Sequence, residues 1–451
     1  MTRPISQLDW RGAAEEPEAI VLSRADVLDP RAGVEGVYDV VIRDGVIADL
    51  AEPGSISDGD LEVIDAAGKQ AFPAFFDPHV HLRIPGQEDA EDVETGSRAA
   101  AAGGYCGILA MANTVPPVDT AADVSALREL AEGEASVPVG FLACVTREMK
   151  GDELTEMAEL RSVGAAGFSD DGLPLRSARV LRRALQYQKL AGGVIALHEE
   201  DPELSGAGVM HEGGVSAMLG LEGIPAVSES TMIARDAALA AFEEARVHVQ
   251  HLSARESVEV VAAAKERGIP ITCEATPHHL TLTDEEVRSL DARFKMNPPL
   301  RSEDDRLALI DGLRSGTIDC VATDHAPHPP ETKEVPFEAA AMGVTGLETA
   351  FSVLHTDLVV PGILDVSTLV DRMSAGASAF DLAPPTLAKG GDANIVLFDP
   401  EAEWEAGADG WESRSENSCF AGRRLRGRVL MTIAAGRVAY RQRSFAMGVA
   451  G

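Results

Sequence analysis

The chain has 451 residues, 45% of them hydrophobic and 25% charged, enough for one large globular domain and a smaller companion. Its 39 basic residues face 73 acidic ones, a formal net charge of −34, which argues against nucleic acid and anionic membrane as partners and is read as a solvated acidic surface. No run approaches the ~18 apolar residues of a membrane span, no apolar segment follows a basic start, and the five cysteines are scattered without a Cys-x-x-Cys pair; a cytoplasmic protein with inert, reduced thiols is expected.

In chain order, residues 1–19 are polar and acidic, with Glu15-Glu16-Pro17, and read as a loosely held arm. Short strands are expected at 19–22, 38–43, 46–50 and 61–65, separated by turn signals at Asp44-Gly45 and Ser57-Asp58-Gly59-Asp60. The far end has the same texture, with strands at 393–398, 428–434 and 436–440. Head and tail together predict one composite β domain, made of residues 1–72 and 383–451.

Between them, residues 73–382 alternate strand and helix. An opening strand at 71–76 is followed by apolar runs at 107–112, 137–145, 165–168, 193–197, 247–249, 269–273 and 318–322. Helical segments fall at 91–102, 121–132, 154–163, 177–190, 230–244, 253–266 and 303–314. Eight strands alternating with helices predict an α/β fold, a (β/α)8 barrel whose active site lies at the C-terminal ends of its strands. No Gly-x-Gly-x-x-Gly turn favours an open, doubly wound sheet instead.

Polar residues gather where such a barrel needs them. The first strand runs into Asp77-Pro78-His79-Val80-His81-Leu82-Arg83, and residues two apart on a strand share a face. The second ends in Asn113, the fourth in Asp170-Asp171, the fifth in His198, the sixth in His251, the seventh in His278-His279 and the eighth in Asp324-His325 with His328 beyond. Only the third ends without a candidate ligand, and the whole chain has just 11 histidines. Four imidazoles and two carboxylates exceed the shell of a single zinc with an open site. They fit two metals that share a carboxylate and a bridging water lowered toward hydroxide, a device for hydrolysing amides. A carboxylate must also carry the proton to the leaving nitrogen, and Asp324 is the natural candidate. Spacing does not choose between Asp170 and Asp171. His278 and His279 are read as strand-end residues satisfied by hydrogen bonds, with a metal ligand the lesser alternative for either, and His325 as a support behind a ligand or a structural residue; His211, His248 and His355 fall outside the pattern.

Several longer motifs carry a family likeness. They are Asp77-Pro78-His79-Val80-His81-Leu82-Arg83 with Pro85-Gly86-Gln87-Glu88, Phe168-Ser169-Asp170-Asp171-Gly172, Thr276-Pro277-His278-His279-Leu280, Lys295-Met296-Asn297-Pro298-Pro299, Ala322-Thr323-Asp324-His325-Ala326-Pro327-His328 and Gly343-Val344-Thr345-Gly346-Leu347-Glu348. From about residue 37 to about residue 440 the chain resembles the bacterial type I dihydroorotases. The resemblance implies an amidohydrolase barrel with a composite β-sandwich, and reversible hydrolysis of dihydroorotate to N-carbamoyl-L-aspartate in pyrimidine synthesis. It implies two zinc ions: His79, His81 and Asp324 at one, His198 and His251 at the other, with Asp171 and a water or hydroxide bridging them. Asp324 becomes the proton shuttle, Arg83, Asn113, Asn297 and His328 the substrate grip, and Gly343 a source of backbone contacts. Many relatives bridge their metals with a carboxylated lysine; no lysine occurs in 163–174, so Asp must serve.

A guanidinium beside the metals suits a substrate with two carboxylates, and Arg83 therefore separates this reading from allantoinases and dihydropyrimidinases. Filled ligand positions separate it from metal-free chains that serve as partners of aspartate carbamoyltransferase. The Pro-rich stretch 327–336 is read as a mobile lid carrying His328. By family, a homodimer is expected, and association with aspartate carbamoyltransferase is open.

Overall fold

The computed structural model describes residues 2–14, 19–56 and 61–448; the acidic Glu15-Glu16-Pro17 and the turn Ser57-Asp58-Gly59-Asp60 lie outside the described residues. Five strands come first: β1 (Ile20–Asp29), β2 (Val34–Arg43), β3 (Val46–Ala51), β4 (Glu62–Asp65) and β5 (Gln70–Pro73). Next are β6 (Phe75–Val80), β7 (Tyr105–Ala110), β8 (Val139–Ala143), β9 (Gly167–Ser169) and β10 (Ile195–Leu197). A two-residue pair, β11 (Met210–His211) and β12 (Gly223–Ile224), precedes β13 (Val247–Val249), β14 (Ile271–Ala275) and β15 (Cys320–Val321). The chain closes with β16 (Ile395–Glu405), β17 (Arg424–Ala434) and β18 (Arg437–Arg441).

Both ends of the chain build one eight-stranded sheet in the order β18-β17-β16-β5-β1-β2-β3, with β4 parallel to β1. The seam is the antiparallel β5–β16 pair, where Pro73 faces Ile395 and Ala71 faces Leu397. Ile20, Leu22, Val40, Ile42, Ile395, Leu397, Met431 and Ile433 form its core.

The second sheet is parallel, in the order β6-β7-β8-β9-β10-β13-β14-β15. It closes on itself where Val80 bridges His325 and the His81 N–H donates to the His325 carbonyl at 2.8 Å. Its strands are buried along their length, as near-continuous apolar runs in a helix-wrapped parallel sheet should be. Helices cover it at Val93–Gly103, Ala121–Glu134, Met157–Ser162, Ala178–Ala191, Val227–Glu243, Arg255–Glu266 and Glu303–Ser315. The Val93–Gly103 helix shows how sequence sets the ends. Asp92 and Thr95 form a capping box at its start, and Gly104 stops it at φ 96°.

Two expectations need correction. The run 71–76 is not one strand: Gln70–Pro73 belongs to the end sheet and Phe75–Val80 to the barrel, with Ala74 as the pivot whose N–H donates to the Asn394 carbonyl. Nor is the arm loose over residues 2–14. Ile5, Leu8 and Trp10 are 2%, 5% and 4% exposed and join the barrel core, while Asp9 pairs with Val139 at the start of β8 and takes an ion pair from Arg128. The arm's acidic composition suggests a solvated segment, yet burial of these three apolar side chains docks it beneath the barrel. All five cysteines are buried and free. Among the described residues no helix is long and apolar enough to cross a membrane.

Candidate metal and active site

At the C-terminal mouth of the barrel, Asp171 is the point on which the other groups converge. Asp170 turns away from it: its Oδ1 accepts the N–H of Val145 at 2.8 Å and of Thr146 at 3.1 Å, and its Oδ2 accepts the Thr146 hydroxyl. That leaves Asp171 to face inward, where Oδ1 stands 3.6 Å from His79 Nε2, from His198 Nδ1 and from His251 Nε2. Its other oxygen is 3.4 Å from His81 Nε2. Asp324 Oδ1 lies 3.1 Å from His81 Nε2 and 3.5 Å from His79 Nε2.

These separations fit a cation held between the groups better than they fit hydrogen bonds. Two ligands each about 2.1 Å from a tetrahedral ion stand about 3.4 Å apart. His79 Nε2 and Asp171 Oδ1 are buried with no hydrogen-bond partner at all, a cost that a folded protein avoids unless something else binds there. Two triads, His79–His81–Asp171 and Asp171–His198–His251, each bring three such atoms within 4.8 Å of one another. The donor set, imidazole and carboxylate, suits a divalent transition metal.

The imidazoles are also turned correctly. His79 Nδ1 contacts Glu274 Oε1 at 2.6 Å, His81 Nδ1 contacts Asn113 Oδ1 at 2.9 Å, and His198 Nε2 contacts Glu200 Oε2 at 3.4 Å. Each outer oxygen accepts a proton from the ring nitrogen it meets, which leaves the inner nitrogen's lone pair pointing at Asp171. Burial alone would raise the Asp171 carboxyl, but His79, His198 and His251 outweigh it and hold the group well below the carboxylate range. Asp324 is lowered in the same way by His79 and His81. Glu274, although buried, is held at about 2 by His79 and His248. The backbone is bent to suit: His251 (φ 30°), Asp324 (φ 47°) and Arg83 (φ 59°) all sit in the left-handed region, which is costly for residues with a side chain.

Arg83 stands at the rim. Its Nε donates to the Pro327 carbonyl at 3.0 Å, and its Nη2 is 3.4 Å from His328 Nε2. His328 Nε2 donates in turn to the Met342 carbonyl at 2.8 Å. Burial and the neighbouring guanidinium push His328 down to about 3, so it contributes no positive charge. Arg83, lowered by burial only to about 10, keeps its own. Asn297 Nδ2 donates to Glu200 at 2.6 Å and lies 3.3 Å from His198. Gly343, at φ 133°, admits no side chain: a Cβ there would fall 2.9 Å from His328 Nε2.

With this geometry established, known proteins can be compared. A family model described as dihydro-orotase-like matches residues 68–257. A dihydroorotase of Thermoanaerobacter sp. (strain X514) is 43% identical over 94% of this chain and 97% of its own. One from Anaeromyxobacter dehalogenans (strain 2CP-C) is 45% identical over 94% and 98%. The chain belongs to the dihydroorotase family. Among solved structures it is similar to the L-hydantoinase (dihydropyrimidinase) of Arthrobacter aurescens, at TM-score 0.82 and 25% identity, covering 94% of this chain and 96% of that one. This likeness extends the fold to the amidohydrolase barrel with its accompanying sheet.

The remaining histidines of this dihydroorotase-family chain do other work. His248, three residues before His251, points elsewhere and bonds Glu274 Oε2 and Thr272. His279 is tied to Thr276 and to the Pro298 carbonyl. His325 contacts Glu91 and accepts the Gly346 N–H. His278 is buried with an unpaired Nε2, and burial lowers it to about 4. Sequence reasoning missed Glu274, Glu200 and Asn417. Glu274 left a signal: a carboxylate inside the apolar run Ile271-Thr272-Cys273-Glu274-Ala275 needs a buried partner. Asn417 left none. Its amide joins the Ala326 and Gly343 carbonyls to the His328 N–H from the far end of the chain.

The lid expected at 327–336 is docked in this structure. Pro330–Lys333 forms a short helix whose Lys333 ammonium is buried beneath it.

Proposed function

We propose that this chain is a dihydroorotase that hydrolyses the ring amide of dihydroorotate to N-carbamoyl-L-aspartate, and runs the reverse closure, with two zinc ions bound. His79, His81 and Asp324 would hold one ion, His198 and His251 the other, and Asp171 would be shared. When bound, such ions polarise the amide carbonyl and lower the pKa of water.

The chain's own residues supply the rest. Arg83, charged and next to the histidine cluster, takes the ring carboxylate in a bidentate fork and so brings the amide carbon to the histidine cluster, within reach of a water beside Asp324. Asn297, tethered through Glu200, and the main chain at Gly343 flank the ring. His328, neutral and held by the Met342 carbonyl, stands beside the guanidinium to meet substrate. Asp324, kept ionised by the neighbouring imidazoles, accepts a proton from the attacking water as the O–C bond forms. It returns that proton to the ring nitrogen as the C–N bond breaks. In the synthetic direction the same carboxylate removes the ureido proton.

The observation that carries this reading is Arg83: a full positive charge at the mouth of a histidine–aspartate centre, in a chain of net charge −34. Neutral cyclic amides do not call for it. The test is metal analysis of the purified protein joined to assays in both directions, with allantoin and dihydrouracil as competitors. About two metals per chain and preference for dihydroorotate are expected. Absent metal together with absent hydrolysis would overturn the proposal, and faster hydrolysis of allantoin would reassign the substrate.

A further inference from the structure

Lys333 is 7% exposed and Lys295 3% exposed, and among the described residues both ammonium groups bond main-chain carbonyls rather than a carboxylate. The acidic groups whose charge reaches Lys333 are Asp291, which is paired with Arg293, and the Cys419 thiol, while Glu331, Glu334 and Glu338 face solvent. The Lys333 Nζ donates to three main-chain carbonyls: Lys295 at 3.1 Å, Ala341 at 2.9 Å and Gly343 at 2.9 Å. Three donors meet three acceptors, which satisfies the group completely. Burying an ammonium without a counter-ion is nevertheless unfavourable, so the contact must be matched by what it orders.

What it orders are the segments that carry three of the groups assigned to substrate. Lys295 is two residues before Asn297, and its carbonyl also accepts the Gly343 N–H at 3.0 Å. Ala341 and Gly343 flank Met342, whose carbonyl takes the His328 Nε2 proton. Gly343 itself packs against His328. One ammonium thus gathers the 295–297 and 341–343 segments and, through Met342, the imidazole beside Arg83. Burial pulls this ammonium down to about 8, so it is charged at neutral pH. Lys295 adds a second tie of the same kind, from its Nζ to the Phe337 and Glu338 carbonyls.

We propose that Lys333 is a positioning residue for substrate: its ammonium fixes Asn297, His328 and Gly343 relative to Arg83, and so sets substrate affinity without touching substrate or the metal-facing residues. The inference rests on the dihydroorotase reading above.

Two variants test it. Lys333→Met keeps the length and apolar stem but removes the charge. Lys333→Arg keeps the charge but spreads its donors over a planar fork that does not match three converging carbonyls. For both, KM for dihydroorotate should rise at least about tenfold while kcat stays within about threefold and metal content is unchanged. An unchanged KM in a folded, metal-loaded variant overturns the proposal. So does a parallel loss of metal, kcat and melting temperature, which is the signature of a merely structural role. If Lys333→Met does not fold, Lys333→Arg carries the same outcomes. If the wild-type protein does not turn over dihydroorotate, the activity reading has failed by itself. Positioning is then judged from exchange of the Gly343 amide, whose protection should drop at least about tenfold in the variant relative to the barrel strands; equal protection overturns it.

Discussion

Around Asp171, three of the four inward-facing imidazoles have their outer nitrogen held by a side chain: Glu274, Asn113 or Glu200. On the Arg83 side, Arg83, His328 and Gly343 are held by main-chain carbonyls, those of Pro327, Met342 and Lys295, and only Asn297 by a side chain, Glu200. The first arrangement fixes protonation as well as position, because a carboxylate or amide oxygen decides which ring nitrogen carries hydrogen. The second mainly fixes position; only at His328 does a carbonyl, that of Met342, also place a ring proton. A metal centre needs particular lone pairs, whereas a substrate grip needs donors at set places, and each half of the mouth is built for its own demand.

The largest effect should come from breaking the centre itself. Asp171→Asn keeps the shape but removes the charge that three imidazoles face at 3.6 Å. Both metals should be lost and kcat should fall at least about a thousandfold. The paired control is Asp170→Asn, one residue away, whose oxygens serve Val145 and Thr146. It should keep its metal and lose only about 1–3 kcal/mol of stability. Equal metal loss in the two variants would mean that the carboxylates have been assigned to the wrong tasks.

Next in size is Arg83→Met. Removing the Arg83 cation from the rim should raise KM about a hundredfold, roughly 3 kcal/mol of charge-assisted binding. Metal content should stay intact. If the metal is lost as well, the two halves of the site are not separable in the way their hydrogen bonds suggest.

Glu274→Gln should be milder again. The amide can still meet His79 and His248, but it no longer fixes a carboxylate at 2.6 Å from His79 Nδ1. Loss of an outer oxygen of this kind typically costs about 10–100-fold in metal affinity. Competition with a chelator would measure it, and KM at saturating metal should not change.

The same contrast explains what the sequence revealed. His79 and His81 alternate along β6, and Asp171, His198, His251 and Asp324 each stand just past an apolar strand, so barrel periodicity alone marks them. Asp170 and Asp171 could not be told apart from spacing, because the choice depends on Val145 and Thr146, 25 and 24 residues from Asp170. Lys333 and Asn417 were illegible for a stronger form of the same reason. Their partners are carbonyls, which every residue has, so no residue type at positions 295, 341 or 343 announces the contact. The charge of the arm misled in the opposite sense, since Trp10 and Ile5 bury themselves in the barrel core regardless of the acidic stretch that follows.

The smallest predicted effect lies away from the mouth, where a half-buried carboxylate has main-chain donors but no cation shifting it. Glu348 accepts the N–H groups of Glu412 and Ser413 at 3.0–3.1 Å, and desolvation still raises it from its ordinary value of 4.5 to about 7. A carboxyl raised in the folded state contributes stability that is complete below the unfolded value, near 4.5, and lost as pH climbs through 7. Glu348→Gln cannot titrate, so wild-type stability should fall relative to the variant between pH 5 and pH 8. The side chain lines an open cavity of about 810 Å³, where water tempers the penalty, so the relative change should be about 1 kcal/mol, or about 1–2 °C in melting temperature. Asp171, held low by its imidazoles, should show no such dependence in this window. Parallel melting curves for wild type and Glu348→Gln from pH 5 to pH 8 would mean that the two backbone N–H groups alone keep Glu348 ionised. Burial would then govern this carboxylate no more than it governs those at the metal centre.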